Sequence, residues 1–576
     1  MSYFLVFILG WFMLSCSLTK TEEKELNPIN LRCEYVKNPS AINSETPQLS
    51  WGFSSLKKAQ RQQAYHVLVS SSAQKLSDNL GDLWDSGRIN GDQSQHVKYK
   101  GISLQSKQVV YWKVRVWDHD NKQSNWSKTN KWGMGLLNKE DWEANWIAVS
   151  EDKYPNSPET NPASYFRKEF RSSKPVKSAR IYVSGLGYYE LYLNGDKVGD
   201  YVLAPANTNY DKRNLRHLLY KYSDRSKTRV LYNTFDISDI LIRGDYTLGI
   251  ILGNGWYNQR DRREEGWMWF DTPRLILQME IEYDDGTTEK IISDDTWKVS
   301  TGPILHDGIF TGEVYDARLE HIGWNSPSFD DSDWQKAKIV RAPTGNLQAQ
   351  LAPSDKIVRN IKVKSKIELD DNKYLYDFGE MFSGWVKIKV KGKKGTRITL
   401  NYFEEMGGNY RQEDVYILSG NGIEEYEPRF TWHAFRNVEI EGLSESATLL
   451  DITGRVVHTA VDSVGFFECS NELFNKTYEN YIRTQLGNYH GSFSSDCPHR
   501  ERLGYTGDGQ LLVESSIFNF DMSRFYKKWL NDMADVQDSI TGFVPHTAPF
   551  GGGGGGPAWG SSYVIVPWFY YIYYGD

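Results

Sequence analysis

The chain has 576 residues, too many for one hydrophobic core, so we expect it to divide into roughly three to five domains. Its formal net charge is −7 with a pI of about 6.0, and its 67 Lys and Arg residues are scattered without a basic run. Phosphate binding needs clustered cations, so this distribution argues against nucleic acid as a partner. Aromatic residues make up 14% of the chain, which fits either a β-rich fold or platforms for sugar rings.

The first sixteen residues form a separate unit. Residues 3–14 are an apolar run, too short to cross a bilayer and the right length for the core of a signal peptide. The following Ser15-Cys16 completes a Met-Leu-Ser-Cys stretch that resembles the lipobox of bacterial lipoproteins, which implies lipidation of Cys16. An ordinary signal peptide with a chance cysteine is the alternative. Either way we expect export, to the periplasm or the cell surface, with a lipid anchor in the outer membrane as the one membrane contact.

Beyond Cys16 the cysteines are Cys33, Cys469 and Cys497. They are far apart and odd in number, so the sequence shows neither a disulfide framework nor a CxxC metal site. We therefore expect folding to depend on apolar burial, and we expect no metal and no cofactor.

Residues 27–458 have the pattern of β-structure. Short alternating runs are broken by turn signals every ten residues or so, as in β-sandwiches. Residues 64–69 and Val109–Asp118 read as strands, and Asn194-Gly195 predicts a hairpin because both turn positions need positive φ. The spacing of these signals predicts three β-domains, over residues 27–137, 140–345 and 348–458.

Helical spacing begins after residue 460. In residues 471–482, with Asn471 as the N-cap, one helix face carries these side chains: Leu473, Phe474, Thr477, Tyr478 and Tyr481. Further helices fit residues 509–518 and Ser523–Val536, and a fourth begins around Tyr563. Helices separated by Gly-rich loops suggest the start of an α/α arrangement with a site built from loops at one end.

Residues 496–508 read DCPHRERLGYTGD and resemble D-C-P-x-R-x-R-x-G-W-x-G-D, the signature of glycoside hydrolase family 78, the bacterial α-L-rhamnosidases. Supporting segments, in family order, are LWDSG at 83–87, YWKVRVWD at 111–118, GEVYDAR at 312–318 and DFGEMFSGWV at 377–386. The resemblance covers about residues 30 to 576. It implies a multidomain fold of three β-sandwiches (fibronectin-like, carbohydrate-binding-like and concanavalin-like), followed at residues 460–576 by the first part of an (α/α)6 six-hairpin barrel.

The chemistry of the signature agrees with this resemblance. Asp496, Glu501 and Asp508 place three carboxylates close to Arg500 and Arg502, in a loop rich in Pro and Gly that cannot be a regular helix. Glycoside hydrolysis needs one protonated carboxyl and one carboxylate, and like charges favour the protonated form of one of them. The arginines can offset charge or hold hydroxyls. A structural ion-pair network that caps a helix at Gly509 is the alternative.

The resemblance also implies a role for each matching residue. Glu501 matches the general acid, and Asp496, Arg500 and Asp508 match residues that hold the rhamnose hydroxyls. Tyr505 stands where the family has Trp. Trp559 matches an aromatic residue of the substrate pocket, while Ser561-Ser562 replaces an expected Asp-Ala. His546 and the glycines at 551–556 belong to the same loop, and His546 is a candidate substrate contact.

The family's general base is a Glu of the later helices, and this sequence ends at Asp576 after about two hairpins. We therefore expect that the base is not present in the chain and that these 576 residues alone have little activity. Glu514 is the other nearby carboxylate, but we expect its helix to be buried.

The leading hypothesis is an inverting α-L-rhamnosidase that acts on terminal, non-reducing rhamnose of polysaccharides or glycosides. A surface carbohydrate-binding protein with an incomplete, inactive catalytic domain is the alternative from a different class. A related α/α-barrel hydrolase that acts on another sugar is the third. No Ser-His-Asp elbow, P-loop or metal-ligand spacing favours other chemistry.

Overall fold

The structure, a computed structural model, describes residues 26–149, 161–212, 226–260, 269–370, 372–404, 412–552 and 554–576. The signal segment and Cys16 therefore lie outside the described residues. The described chain divides into two compact units. The first contains residues 26–32, 48–102 and 110–131, and the second contains the remainder. None of the helices in the described ranges is both long and apolar enough to span a bilayer.

The first unit is built from short strands and one short helix. In chain order they are β1 (Asn27–Cys33), β2 (Gln48–Ser54), β3 (Gln62–Ser70), α1 (Ala73–Ser77), β4 (Trp84–Asp85), β5 (Ile89–Asn90), β6 (Val97–Lys98), β7 (Val109–Asp118) and β8 (Asn130–Gly133). A sheet with the order β1-β2-β6 accompanies a sheet with the order β4-β3-β7-β8, in which β5 also pairs with β3. On β7, Trp112, Val114 and Val116 are buried on one face, which confirms the predicted alternation.

The second unit begins with a β-sandwich. The strands between residues 147 and 349 are β9 (Ile147–Ala148), β10 (Ser164–Ser172), β11 (Val176–Leu186), β12 (Tyr189–Leu193), β13 (Asp196–Lys197), β14 (Tyr201–Val202), β15 (Arg229–Asp236), β16 (Gly244–Leu252), β17 (Arg274–Tyr283), β18 (Thr288–Ile292), β19 (Lys298–Thr301), β20 (Ile304–Gly308), β21 (Gly312–Asp316), β22 (Gln335–Lys336), β23 (Lys338–Ile339) and β24 (Asn346–Ala349). All except β14, β20 and β21, which belong to a further sheet, form the sandwich. The segments Lys139–Asp141 and Ala317–Leu319 are 3-10 turns.

The sandwich consists of a sheet with the order β13-β12-β16-β10-β19-β22 and a sheet with the order β23-β9-β17-β11-β15-β24, to which β18 adds beside β17. The predicted hairpin joins β12 to β13, and Asn194 and Gly195 have φ angles of 49° and 91°. Both turn residues therefore adopt the left-handed conformation that this turn requires. Buried aliphatic side chains of β11, β16 and β17 fill the space within the sandwich.

A further sheet follows along the chain. Its own strands are β25 (Asp355–Lys362), β26 (Ser365–Asp370), β27 (Lys373–Gly392), β28 (Arg397–Phe403), β29 (Glu413–Ile417), β30 (Ile423–Tyr426), β31 (His433–Glu441) and β32 (Ala447–Thr459). The strand order is β14-β25-β32-β27-β31-β28-β29-β21-β20, with β26 and β30 also paired with β27. Strands β14, β20 and β21 precede residue 348, so the hydrogen-bonded sheet continues across that point in the sequence.

The rest of the chain is helical apart from a small hairpin. The elements are α2 (Glu472–Gly487), β33 (Tyr489–His490), β34 (Phe493–Ser494), α3 (Thr506–Leu511), α4 (Val513–Asn519), α5 (Ser523–Val536), α6 (Pro557–Gly560) and α7 (Ser562–Tyr574). Asn471 caps α2 as predicted, since its side chain accepts a hydrogen bond from the Leu473 amide at 3.0 Å. The predicted bounds of α5 are also confirmed. Leu473 and Phe474, on the predicted apolar face of α2, are exposed.

The single helix predicted for residues 509–518 is wrong, because the structure has α3 and α4 with a break at Leu512. The hydroxyls of Ser515 and Ser516 both donate to the Leu512 carbonyl, at 3.0 and 2.7 Å. Side-chain hydrogen bonds of this kind compete with the helical backbone bonds and favour a bend. Helix α3 also starts earlier than predicted, at Thr506, so Asp508 lies within a helix.

The helical segment packs directly on the β-sheets of the second unit. One hydrophobic cluster contains Trp256 of the sandwich, Trp432 near β31 and Trp529 of α5. Beside it lies a buried carboxylate, Asp355, at the start of β25. Asp355 accepts hydrogen bonds from the Thr459 hydroxyl at 2.7 Å and from the Gly491 amide at 3.0 Å. Asp355 thereby joins the β25–β32 edge to the β33–β34 hairpin.

The variant Asp355→Ala should lower the free energy of unfolding by roughly 2–3 kcal/mol, because it leaves buried donors without an acceptor. The matched control is Asp200→Ala. Asp200 is 70% exposed and pairs with Lys356 at 2.8 Å, so its loss should cost less than about 1 kcal/mol. Urea denaturation followed by tryptophan fluorescence measures both. Equal effects of the two substitutions would contradict the anchoring role of Asp355.

Candidate active site

The predicted site is centred on the loop between β34 and α3. Its backbone is irregular, as Pro498 and Gly504 predict, and the amides of Glu501 and Arg502 both donate to the Cys497 carbonyl, at 3.3 and 3.2 Å. Arg502 has a φ of 57°, in the left-handed region. The expectation that all three carboxylates lie in this loop is wrong for Asp508, which is in the first turn of α3.

The acidic side chains of the loop lie close together. One ligand-type atom each of Asp496, Cys497 and Glu501 lies within 4.8 Å of the others. Arg500 is beside this group, since its Nη2 is 3.4 Å from the Glu501 Oε1 and its Nε donates to the Cys497 Sγ at 3.4 Å. Burial raises the pKa of the Cys497 thiol, the Asp496 and Glu501 charges raise it further, and the Arg500 contact opposes them.

This group is the one in the described ranges whose acidic and thiol atoms approach one another as closely as metal ligands do. The Arg500 guanidinium lies against the sulphur and against Glu501, where a metal ion would bring like charges together. The positive charge beside this group is therefore the guanidinium, which argues against a metal centre.

The third carboxylate, Asp508, belongs to the same electrostatic environment. Burial raises the pKa of Asp508, a hydrogen bond from the Trp559 side chain lowers it, and the Glu501 charge raises it. Asp508 thus interacts with the charge of Glu501 and with the indole of Trp559. The structure brings Asp496, Arg500 and Glu501 together with these two residues.

Trp559 lies directly against the α3 backbone. A Cβ atom at Gly507 would be 2.6 Å from the indole, so that position has room only for glycine while the ring stays in place. The His546 ring lies 5.7 Å from the Trp559 ring, measured between centroids. The His546 carbonyl accepts hydrogen bonds from the Thr506 amide and hydroxyl, both at 2.8 Å. His546 thus contributes both its ring and its backbone to the wall formed by Trp559.

Tyr505 occupies the N-cap position of α3 and pairs through its backbone with Thr547. It therefore joins the acidic loop to the loop that carries His546. Of the two serines that replace the expected Asp-Ala, Ser562 is buried and donates to the Met533 sulphur at 3.7 Å. Ser561 lies 3.4 Å from the Gln510 side-chain oxygen.

Two further carboxylates near the site serve different contacts. Helix α4 is buried at Val513, Ser516 and Ile517. Glu514 on the same helix is half-buried and accepts a hydrogen bond from the Tyr573 hydroxyl of α7. Asp521 accepts from the Ser523 hydroxyl at 2.6 Å at the start of α5.

Two residues with structural importance for the site were missed or misread from sequence. The sequence groups Arg502 with Arg500 as a counter-charge, yet Arg502 is 1% exposed and its guanidinium donates to the backbone carbonyls of Pro498 and Ile309. Glu404, at the end of β28, lies 2.8 Å from the Nδ1 of His499. No local signal could have identified Glu404, because the contact joins segments distant in sequence.

Family models match most of the chain, in sequence order. They are the Rha78A-like N-terminal immunoglobulin domain (28–138), the alpha-L-rhamnosidase N-terminal domain (174–359), the bacterial alpha-L-rhamnosidase concanavalin-like domain (367–458) and the bacterial alpha-L-rhamnosidase 6 hairpin glycosidase domain (462–576).

Individual relatives agree with these matches. An alpha-L-rhamnosidase of Formosa agariphila is 35% identical, over 100% of this chain and 63% of its own length. The alpha-L-rhamnosidase structure from Dictyoglumus thermophilum is similar with a TM-score of 0.86 and 41% identity, over 95% of this chain and 62% of that one. The Streptomyces avermitilis alpha-L-rhamnosidase complexed with L-rhamnose gives 0.85 and 27%, over 96% and 69%. The chain thus spans just under two thirds of the first two relatives.

The environment of Cys497 yields a test of the site geometry. In Glu501→Gln the pKa of Cys497 should fall, because a neighbouring negative charge that raises it is removed. In Arg500→Met it should rise, because the donor to the sulphur is lost. The pH dependence of iodoacetamide alkylation, followed by peptide mass spectrometry, measures both pKa shifts. At a pH below the midpoint of the profile, each shift should change the alkylation rate of Cys497 several-fold. Cys469 is the internal control, and a Cys497 profile that is unchanged in both variants would contradict the geometry.

Proposed function

Because the chain belongs to the bacterial α-L-rhamnosidases of glycoside hydrolase family 78, we propose that its activity is hydrolysis of terminal, non-reducing α-L-rhamnose from polysaccharides or glycosides. The observation that carries the proposal is the assembly of Asp496, Arg500, Glu501, Asp508 and Trp559 at one place. Further support comes from the Streptomyces avermitilis relative, whose structure contains L-rhamnose.

Glu501 is the proposed general acid. Its carboxyl has an oxygen within 4.8 Å of one of Asp496, at the centre of the acidic group. In glycoside hydrolysis the general acid donates a proton to the leaving glycosidic oxygen. Arg500, 3.4 Å from Glu501, limits the accumulated charge and orients the carboxyl.

Asp496, Arg500 and Asp508 are the proposed partners of the rhamnose hydroxyls. Carboxylates and guanidinium groups make the strong, charge-assisted hydrogen bonds that orient a sugar in a pocket. Trp559 supplies an apolar ring beside them, and it is 37% exposed, so part of its surface is open to a ligand. Tyr505 and His546 are the proposed residues of the surrounding wall.

We propose inversion as the stereochemical course. An inverting enzyme places its acid and its base about 6.5–9.5 Å apart, which leaves room for the attacking water. Asp496 and Glu501 approach within 4.8 Å, which is too close for that arrangement. The proposed base is therefore a carboxylate other than Asp496, and the proposed reaction requires no cofactor.

A substrate panel separates the candidate functions. Aryl α-L-rhamnoside and other aryl glycosides are tested with this 576-residue chain and with a form extended at its C-terminus to the length of the relatives (the extended form), and L-rhamnose binding is measured by calorimetry. Hydrolysis of the rhamnoside by the extended form is the expected result. Rhamnose binding without hydrolysis by either form favours the carbohydrate-binding alternative. Hydrolysis of a different glycoside favours the third hypothesis.

In the extended form, Glu501→Gln should lower the turnover of rhamnosides with poor leaving groups by about 10²–10⁴-fold, which is the contribution of one general acid. An activated aryl rhamnoside should be affected less, because its leaving group needs less protonation. Comparison of kcat for a 4-nitrophenyl and an alkyl rhamnoside measures the difference. Full activity of the variant on the alkyl rhamnoside would exclude Glu501 as the acid.

We further propose that the protein is exported and held in the outer membrane through lipidated Cys16. The support is the sequence of the first sixteen residues, with an apolar run that ends at Ser15-Cys16. Two acyl chains anchor a protein to a membrane stably, whereas a single acyl chain gives only marginal binding. The sequence has no run of basic residues that would suggest another membrane contact.

In cells, Cys16→Ala should move the protein from the membrane fraction to the soluble periplasmic fraction, because the acylated residue is lost. Fractionation and immunoblotting measure the shift, and Cys33→Ala is the control that removes a thiol without touching the signal segment. The same distribution of both variants would exclude the lipid anchor while leaving export intact.

A further inference from the structure

Arg502 differs from its neighbour Arg500 in where its charge is placed. The Arg500 side chain is 43% exposed beside the carboxylates, whereas Arg502 is 1% exposed. Within the loop, the Arg502 guanidinium donates to the carbonyls of Pro498 at 2.9 Å and His499 at 3.3 Å. Its amide donates to the Cys497 carbonyl, which also accepts the amide of Glu501. Arg502 therefore closes the loop on itself around the position of Glu501.

The same guanidinium also reaches the β-sheets. Its Nη1 donates to the Ile309 carbonyl, and its Nη2 donates to the Gln412 side-chain oxygen at 2.9 Å. Gln412 is itself fixed, because it exchanges hydrogen bonds with the amide and carbonyl of Ala434 at 2.9 and 3.0 Å. The contacts therefore join the loop to segments that precede it in the sequence by many residues.

Two aromatic rings also lie beside the Arg502 guanidinium. The Arg502 guanidinium carbon lies 5.6 Å from the Phe310 ring centroid and 5.4 Å from that of Trp432, within the range of cation–π attraction. A buried charge is stable only where its donors are satisfied, so the guanidinium has one position available to it. The planar fork of arginine can serve several carbonyls at once, which a lysine ammonium on a flexible stem cannot reproduce.

We propose that Arg502 is a positioning residue: it holds the Cys497–Arg502 turn against the β-sheets and so sets where the Glu501 carboxyl stands. The role of Glu501 as acid rests on the proposed function, whereas the mechanical role of Arg502 does not. The left-handed φ of 57° at Arg502 fits this assignment, since a strained conformation persists only when the surroundings determine it. Through Arg502, the β-sheets thereby help to determine the position of the Glu501 carboxyl.

Cys497 reports the position of the turn without any need for turnover. Its thiol is half-buried inside the turn, and Cys469, also half-buried, lies outside it. The test is the ratio of iodoacetamide alkylation rates at Cys497 and Cys469 at one pH, measured in this chain by peptide mass spectrometry. In Arg502→Met the ratio should rise about tenfold, because charged hydrogen bonds that close the turn are lost. Arg502→Lys should give an intermediate rise.

Gln412→Ala is a second variant, which leaves the loop sequence intact and removes one partner beside β29. It should raise the ratio several-fold. Arg524→Met is the matched control, since Arg524 on α5 donates to the Leu351 carbonyl at 3.1 Å, away from the acidic loop. Its ratio should equal that of the unmodified chain. An unchanged ratio in both Arg502→Met and Gln412→Ala would overturn the proposal, as would an equal rise in Arg524→Met.

In the extended form, rhamnoside kinetics provide a second measurement, which separates a positioning role of Arg502 from a general loss of structure. Arg502→Lys should lower kcat more than it raises KM, and the loss should be larger for an alkyl than for a 4-nitrophenyl rhamnoside, because the displaced group is the proton donor. Equal losses on both substrates would overturn the link to Glu501. If rhamnoside hydrolysis is absent altogether, the proposed function fails, while the alkylation ratios still decide whether Arg502 holds the turn.

Discussion

Charges buried on α5 fix the position of the helical segment on the β-sheets. Lys528 and Asp532 are buried and pair at 2.7 Å, and Asp532 also pairs with Arg229 of β15 at 2.7 Å. An unpaired charge at such a depth costs several kcal/mol, so α5 is stable only where these partners meet. Burial raises the pKa of Asp532 to about 6, and the two cations oppose that rise. The contacts that connect the helical segment to the acidic loop start from this group on α5.

From α5 a short series of contacts leads to the acidic loop. Trp529 lies so close to α3 that a Cβ at Gly509 would be 2.0 Å from its ring, and its indole N–H donates to the Ala548 carbonyl at 3.1 Å. The Ala548 amide in turn donates to the Gly504 carbonyl at 3.1 Å. Gly504 and Gly509 are thus points of close approach, the first between two backbone segments and the second between backbone and ring. Their small size allows the helices, the His546 loop and the acidic loop to meet.

Local patterns in the sequence predicted those features that depend on local physics. The Asn194-Gly195 turn, the cap of α2 and the bounds of α5 follow from backbone conformation and periodicity. The break at Leu512 was missed, because it depends on which way two serine hydroxyls turn. The pairing of β21 with β29 and the direction of the Arg502 side chain join distant segments, and no periodicity records such contacts. The motif supplies the candidate residues of the site, but their arrangement could not be predicted from it.

The contact between Gly507 and Trp559 has a consequence for anyone who wishes to redesign the proposed site. The indole lies against a position where even a methyl group would be 2.6 Å away, so no larger side chain can be introduced at Gly507 while the ring stays in place. Space has to be created at position 559 itself, where a smaller side chain would leave the α3 backbone unchanged. The same substitution would remove the indole donor to Asp508, so it would change the space at the site and raise the pKa of that carboxyl together.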